Sequence, residues 1–339
     1  MPDLSQMTPY ERRAWEESIR TLHASRRQIV PPRVRDRTMA IATSAGQRLQ
    51  ELPGATSVQE IVSRVMDGTL SLTFRPALRT ATADSVLRLY TRHGMALTSM
   101  EAVRSLPLED RDHRQPRRTL YASVAAGEGA ATAVAVTGSE IATTVSGGAT
   151  AGVVVGAVAV DAVASLAMMG RAVGDVASRY GYDMRDPGEE LFAMGVLSLG
   201  MAGDVGAKTQ ALASLSRLTQ RMMRRATWSE LNKHVLVKVL QKVYQRLGLR
   251  LTQRKLAQIV PVAGIGINAA LTASLVDKTF ERAQAVYRLR TLSEKYGIDP
   301  SEWTSGTSSR TSEQDVVDVV EILDETDATD DTQPDPTFV

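Results

Sequence analysis

No cysteine occurs in the 339 residues. That excludes disulfides, thiolate nucleophiles and Cys-ligated zinc, and it suits a reducing compartment. Aromatic side chains make up 4% of the chain, so an interior must be built from Ala, Val, Leu, Met and Gly. Small side chains of this kind favour closely packed helices over a β-sandwich. The four histidines, His23, His93, His113 and His234, are isolated and make no H-E-x-x-H pair. No metal site is indicated. There is no G-x-S-x-G elbow. Gly206-Ala207-Lys208-Thr209 resembles the end of a phosphate loop, but Ala stands where the Gly before Lys is needed. Gly264 to Ala269 has the letters of a dinucleotide fingerprint, yet Pro261 interrupts the strand that should precede it. No catalytic residue and no cofactor is therefore assigned. Residues 1–13 are polar and charged, and no signal peptide is expected.

Charge is present in both signs but unevenly placed. The formal net charge is +2. From Thr304 onward ten acidic residues meet one basic residue, Arg310, for a net −9. The remainder carries +11. A basic body with an acidic tail points to an anionic partner, an intramolecular electrostatic contact, or both.

Ile141 to Val160 forms a charge-free run of twenty residues in which Gly148, Gly152 and Gly156 stand four apart. At helical spacing these line one narrow face, the small-xxx-small arrangement that lets backbones approach. A second uncharged run, Leu256 to Val276, contains Pro261, Gly264, Gly266 and Asn268. Both are long enough to span a bilayer and poor in the residues that transfer scales reward. They read as buried core helices, as a reversibly inserting pair, or as spanning helices. Asp161 and Asn268 are then either paired at helix crossings or functional groups within lipid.

Between Arg217 and Lys255 there are eleven basic residues and one acid, Glu230. Lys238, Lys242, Arg246, Arg250 and Arg254 recur every fourth residue, opposite Leu236, Val239, Leu240, Val243 and Leu247. A continuous helix there would be a basic amphipathic helix of the kind that lies on anionic lipid. The plain alternative is a solvated face. Nucleic acid is disfavoured, because Tyr244 alone interleaves the cations and no recognition motif accompanies them. A further basic patch (Arg12, Arg13, Arg20, Arg26, Arg27, Arg33, Arg35 and Arg37) has the same ambiguity.

The segment pattern predicts an all-α, multi-helix bundle with Gly/Ala-rich central helices and a disordered acidic tail. Expected regions are an N-terminal helical region 1–118, a core 119–303 that joins it in one domain, and the tail 304–339. Within the tail, Val316 to Leu323 has the makings of a short helix. Helices are expected at Pro9 to Gln28, Pro76 to Tyr90, Ser229 to Gly248 and Thr252 to about Thr291. Leu108 to Arg118 reads as a charged connection, and Arg171 and Asp175 as a pair one turn apart. Gly181 is placed as the C′ residue of the helix 161–179, and Asp186-Pro187 as the cap and first residue of the next.

These residues, in this order, resemble the EcsC protein family. The likeness rests on Tyr10-Glu11 with Trp15, the Gly-rich centre, Asp161, and the turn Tyr180-Gly181-Tyr182-Asp183. Pro187 and Glu190 follow, then Ile259 to Gly264 with Asn268, and Ala285-Val286-Tyr287-Arg288-Leu289. The resemblance implies a bacterial protein of a family named from an operon with an ABC transporter. It implies no established activity, so it transfers no catalytic residue. The tail lies outside it. The expectation is a cytoplasmic protein held peripherally at the inner face of the membrane, its cations on anionic lipid. A soluble adaptor for a protein partner, such as a transporter component, is the alternative, and a hydrolase is a third reading. The acidic tail is expected to fold back on the basic body and compete with lipid.

Overall fold

Thr8 caps the first helix of the computed structural model, which describes residues 4–24, 55–117, 151–203, 205–224, 233–256, 264–305 and 317–330. In helix α1 (Pro9–His23) the Thr8 hydroxyl accepts from the Glu11 amide, and Glu11 accepts from the Thr8 amide. This reciprocal capping box satisfies two donors that an open helix end leaves unpaired. Pro9 at the first position supplies a φ already suited to a helix.

Helix α2 (Ala55–Met66) leads into a π turn (Leu70–Phe74) and the short α3 (Arg75–Leu78). Then come α4 (Ala83–Arg92), α5 (Met100–Arg104) and α6 (Leu108–Asp112). The single helix expected over 76–90 is thus interrupted. Thr82 starts a new helix by accepting from the Ser85 amide. The charged connection at 108–118 contains a helical turn that buries Leu108 and Arg111.

The long helices are α7 (Ala151–Arg179), α8 (Pro187–Met201), α9 (Val205–Met223), α10 (Lys233–Leu256) and α11 (Gly264–Tyr296). Helix α12 (Val319–Asp330) lies in the tail. Helices α7, α8 and α11 pack on one another. Helix α1 covers α11, α2 with α3 and α10 cover α7, and α9 covers α8. One buried core draws residues from Met7 to Leu323. All described segments with regular structure are helical, and no strand occurs among them.

The expected helix break near Gly248 is not there. Helix α10 runs from Lys233 to Leu256 through Gly248, whose missing side chain makes room for Met66 of α2. Pro261 and the residues around it lie outside the described segments. The ordered body also extends past Gly297. A 3-10 turn (Pro300–Thr304) buries Trp303, whose indole donates to the Ser293 hydroxyl.

The short helix expected within the tail is present and longer than expected. The short helix at 316–323 becomes α12, which lies across α9 and α10. It is not structureless because Val317, Val319, Val320, Ile322 and Leu323 are all buried. Burying such side chains stabilises by about 1.5–3 kcal/mol each. Residues 306–316 and 331–339 lie outside the described segments.

Candidate functional site

The cationic strip follows from helix geometry. A four-residue step turns a helix by about 400°, so successive cations drift about 40° and the fifth lies about 160° from the first. Accordingly Lys238, Lys242 and Arg246 are exposed, while Arg250 and Arg254 turn into a half-buried position. Arg254 donates to the Met201 carbonyl at 2.9 Å. The opposite side is the core, with Leu236, Val239, Leu240, Val243 and Leu247 at 4% exposure or less. Tyr244 is interior too. Its ring lies 5.1 Å from that of Phe74 and its hydroxyl 3.1 Å from the Thr69 hydroxyl, so no aromatic interleaves the strip.

Helix α12 brings acids to this surface and to α9. Arg246 meets Glu325 at 3.3 Å and Lys242 donates to the Thr326 hydroxyl at 3.2 Å. On α9, Arg217 meets Asp318 at 2.5 Å and Arg221 meets Asp324 at 2.7 Å. Exposed pairs of this sort contribute about 0–1 kcal/mol each. The buried valines, isoleucine and leucine contribute more, so apolar contact holds α12 in place and the charges select where it lies.

A second constellation surrounds the 180–183 turn. Gly181 has φ +92°, and its amide donates to the Ser178 carbonyl while Tyr182 donates to that of Ala177. These two bonds make a Schellman end to α7, which throws Tyr180 and Tyr182 into the interior on either side. A side chain at Gly181 would collide with the Met100 carbonyl and the Arg104 amide. Tyr180 donates to Asp112, as does Tyr10, and Arg288 meets Asp112 at 3.0 Å. Tyr182 donates to Glu294 at 2.9 Å. Asp183 accepts from the Arg185 amide, Asp186 from that of Gly188, and Pro187 opens α8.

Behind the turn, Arg290 is bidentate to Glu189 at 2.6 Å for both bonds and lies 4.2 Å from the Tyr182 ring centre. Burial opposes its charge, but Glu189, Tyr182 and Glu294 hold its pKa well above the usual value. Glu190, 1% exposed, receives Arg75 at 2.6 Å and Arg79 at 2.8 Å. Glu11 accepts from Lys295 and Tyr296, both at 2.7 Å. Burial alone would raise Glu11, yet these bonds and the Thr8 donors bring it down to about 2.

An ordered Tyr-Gly-Tyr-Asp corner, with Trp15, Glu11 and Glu190 each seated on a partner helix, is where sequence likeness and geometry coincide. The sequence pattern that defines the EcsC protein family matches residues 5–292. The chain belongs to the EcsC protein family. It is 30% identical over 156 residues to the Bacillus subtilis (strain 168) protein named "Uncharacterized protein YdbA". The match covers 45% of this chain and 54% of that relative, so this EcsC chain spans about half the length of the relative. No solved structure matches it.

The expected glycine-rich packing face lies partly outside the described residues. Gly148 lies outside the described residues, and for Gly152 and Gly264 the backbone helix is described without side-chain surroundings. Gly156 has no described atom within 4 Å of where a Cβ would stand, so no close crossing occurs there among the described residues. A close crossing among the described residues lies farther along α7. A Cβ on Gly174 would strike the Leu78 carbonyl, and one on Gly170 would strike the Phe74 ring. Asn268 lies in α11, and its side chain is outside the described features.

Among the described residues one helix, Val155–Arg179, is long and apolar enough to cross a membrane, with mean hydropathy 1.4. Of its most apolar 18-residue stretch 61% is buried in the bundle, as in a core helix. Asp161 is paired across a helix crossing, as one of the two expectations had it. It binds Lys255, which also donates to Ser165 at 2.6 Å. Arg171 and Asp175 form no ion pair. Burial lifts Asp175 to about 6, with Arg179 opposing. Gly206 and Lys208 lie in the first turn of α9, and Gly264 to Ala269 in α11, neither at the end of a strand. No cluster of acids and histidines suited to a metal occurs among the described residues.

Sequence reading missed three functional-grade features. These are the Gly170/Gly174 crossing, the Arg290–Glu189 pair, and a cleft of about 710 Å³ bordered by α1, α6, Tyr182 and α11. The first had a signal, since Gly170 and Gly174 share the four-residue spacing. The cleft had none, because nothing in a charged stretch announces that one arginine is buried.

Proposed function

We propose that this EcsC chain is a non-catalytic protein that adsorbs to anionic lipid through the exposed cations of α10, at the inner face of the cell membrane, with α12 as a competing acidic cover. The observation that carries this reading is the placement of Lys238, Lys242 and Arg246 on one exposed strip, with Glu325 of α12 laid against it. The apolar side of α10 is occupied by the core, so attachment rests on charge rather than on burying that side in lipid. Cations near an anionic surface contribute about 1 kcal/mol each, and three give about 3 kcal/mol. That is a weak, reversible association, which a neighbouring acidic helix is well matched to oppose.

Charge-driven adsorption of this size must respond to lipid composition and salt. Purified full-length protein is expected to float with vesicles rich in phosphatidylglycerol, to stay behind with pure phosphatidylcholine, and to detach when salt is raised several-fold. Flotation indifferent to both would overturn the reading, and no flotation with either vesicle would overturn it in favour of a protein-partner adaptor.

A further inference from the structure

Several interior cations among the described residues have a carboxylate partner. Arg290 has Glu189, Lys255 has Asp161, and Arg288 has Asp112. Arg111 is 2% exposed, and no carboxylate lies within 4 Å of its nitrogens among the described residues. One of its terminal nitrogens donates to the Tyr180 carbonyl at 3.3 Å, and its Nε has no acceptor. A guanidinium does not shed its proton in a protein, so the charge persists and costs several kcal/mol until a counter-charge arrives.

Arg111 lines the cleft between α1, α6 and α11. At about 710 Å³ the cleft has the size of a small-molecule site. Arg104 lines it as well, 5.2 Å from the centre of the Tyr182 ring and in no ion pair among the described residues. The carboxylates deeper in the cleft are engaged, Glu11 by Lys295 and Glu294 by Arg290. Glu101 and Glu109 are exposed, where water screens them. What is left uncompensated inside is Arg111, with the exposed Arg104 at the rim beside the Tyr182 ring.

We propose that this cleft binds a small anionic molecule, its oxyanion (phosphate or carboxylate) held by Arg104 and Arg111 and its body against Tyr182. The planar guanidinium fork suits either oxyanion, and both partners would become charge-assisted hydrogen bonds. The site is separate from the lipid-facing strip on α10, so the two proposals stand or fall independently.

The test is calorimetric titration of the full chain with glycerol 3-phosphate, inorganic phosphate and succinate at constant ionic strength. At least one is expected to bind saturably. Arg104→Gln should weaken that binding at least tenfold without moving the melting point of the unliganded protein. Arg111→Met should abolish it and raise that melting point, because an unmatched buried charge has been removed. A triple variant with Lys238, Lys242 and Arg246 changed to Glu should bind the small anion as well as the parent does. If phosphatidylglycerol vesicles compete with glycerol 3-phosphate in that triple variant, the occupant is a lipid headgroup. If they do not, it is a free metabolite. No saturable binding of any of the three anions, or equal binding by Arg104→Gln, overturns the proposal.

Discussion

Two sets of charges in this molecule obey different rules. Those around the 180–183 turn are buried, bidentate or multiply bonded, and tied to the Schellman end of α7. Those between α10 and α12 are exposed and lightly paired. The first set has no substitute for its partners, since water cannot reach Arg290 and no other carboxylate is bidentate to it. The second set can lose its carboxylate partners at small cost, while α12 stays seated through its buried apolar side chains. Position in the fold and the presence of a carboxylate partner together decide which arginines and lysines are structural; Arg111, buried beside the same turn, lacks one.

The contrast is broken most severely at Glu189. Glu189→Gln leaves Arg290 in the interior without its bidentate partner, and the expected loss is about 3–5 kcal/mol, read as a large fall in the urea midpoint. The same substitution class at Glu325 should cost less than about 1 kcal/mol. Equal effects at the two sites would remove the distinction.

Gly174→Ala is expected to cost about 3 kcal/mol, because a backbone carbonyl, not a flexible side chain, occupies the Cβ position. Gly156→Ala should be neutral or stabilising by up to about 1 kcal/mol, since Ala is the better helix former and nothing described stands in its way. Thermal unfolding of the two variants side by side checks where the close crossing lies.

Glu11→Gln should cost about 1–2 kcal/mol at neutral pH, as the charge paired with Lys295 is lost while the amide oxygen still accepts from the Thr8 amide. Its folded pKa of about 2 lies below the ordinary 4.5. Its contribution is therefore complete above about pH 4.5 and fades as pH falls toward 2. The variant and the parent should converge in stability across that interval. A constant difference down to pH 2 would mean that Glu11 acts through packing alone.

Much of the fold was legible. Thr8, Asp186-Pro187 and Gly181 each carry their capping role in the residue itself, and the bundle class followed from small apolar residues without strand signals. The α10 strip was legible as a pattern, and its winding explains why Arg250 and Arg254 leave the exposed side. The crossing at Gly170 and Gly174 was not legible in the charge-free run. Gly170 and Gly174 are interleaved with Arg171 and Asp175, yet Gly174 meets a backbone and Gly170 an aromatic ring. Helix α12 was half legible from Val316 to Leu323, but its docking site depends on α9 and α10 being neighbours, which no local pattern records. The unmatched Arg111 was invisible for the same reason.

The smallest change in stability tests the largest functional claim. Changing Lys238, Lys242 and Arg246 to Glu should leave the melting point within a few degrees of the parent and abolish flotation with phosphatidylglycerol vesicles. Undiminished flotation of that folded variant would contradict the assignment of α10 as the lipid-facing surface.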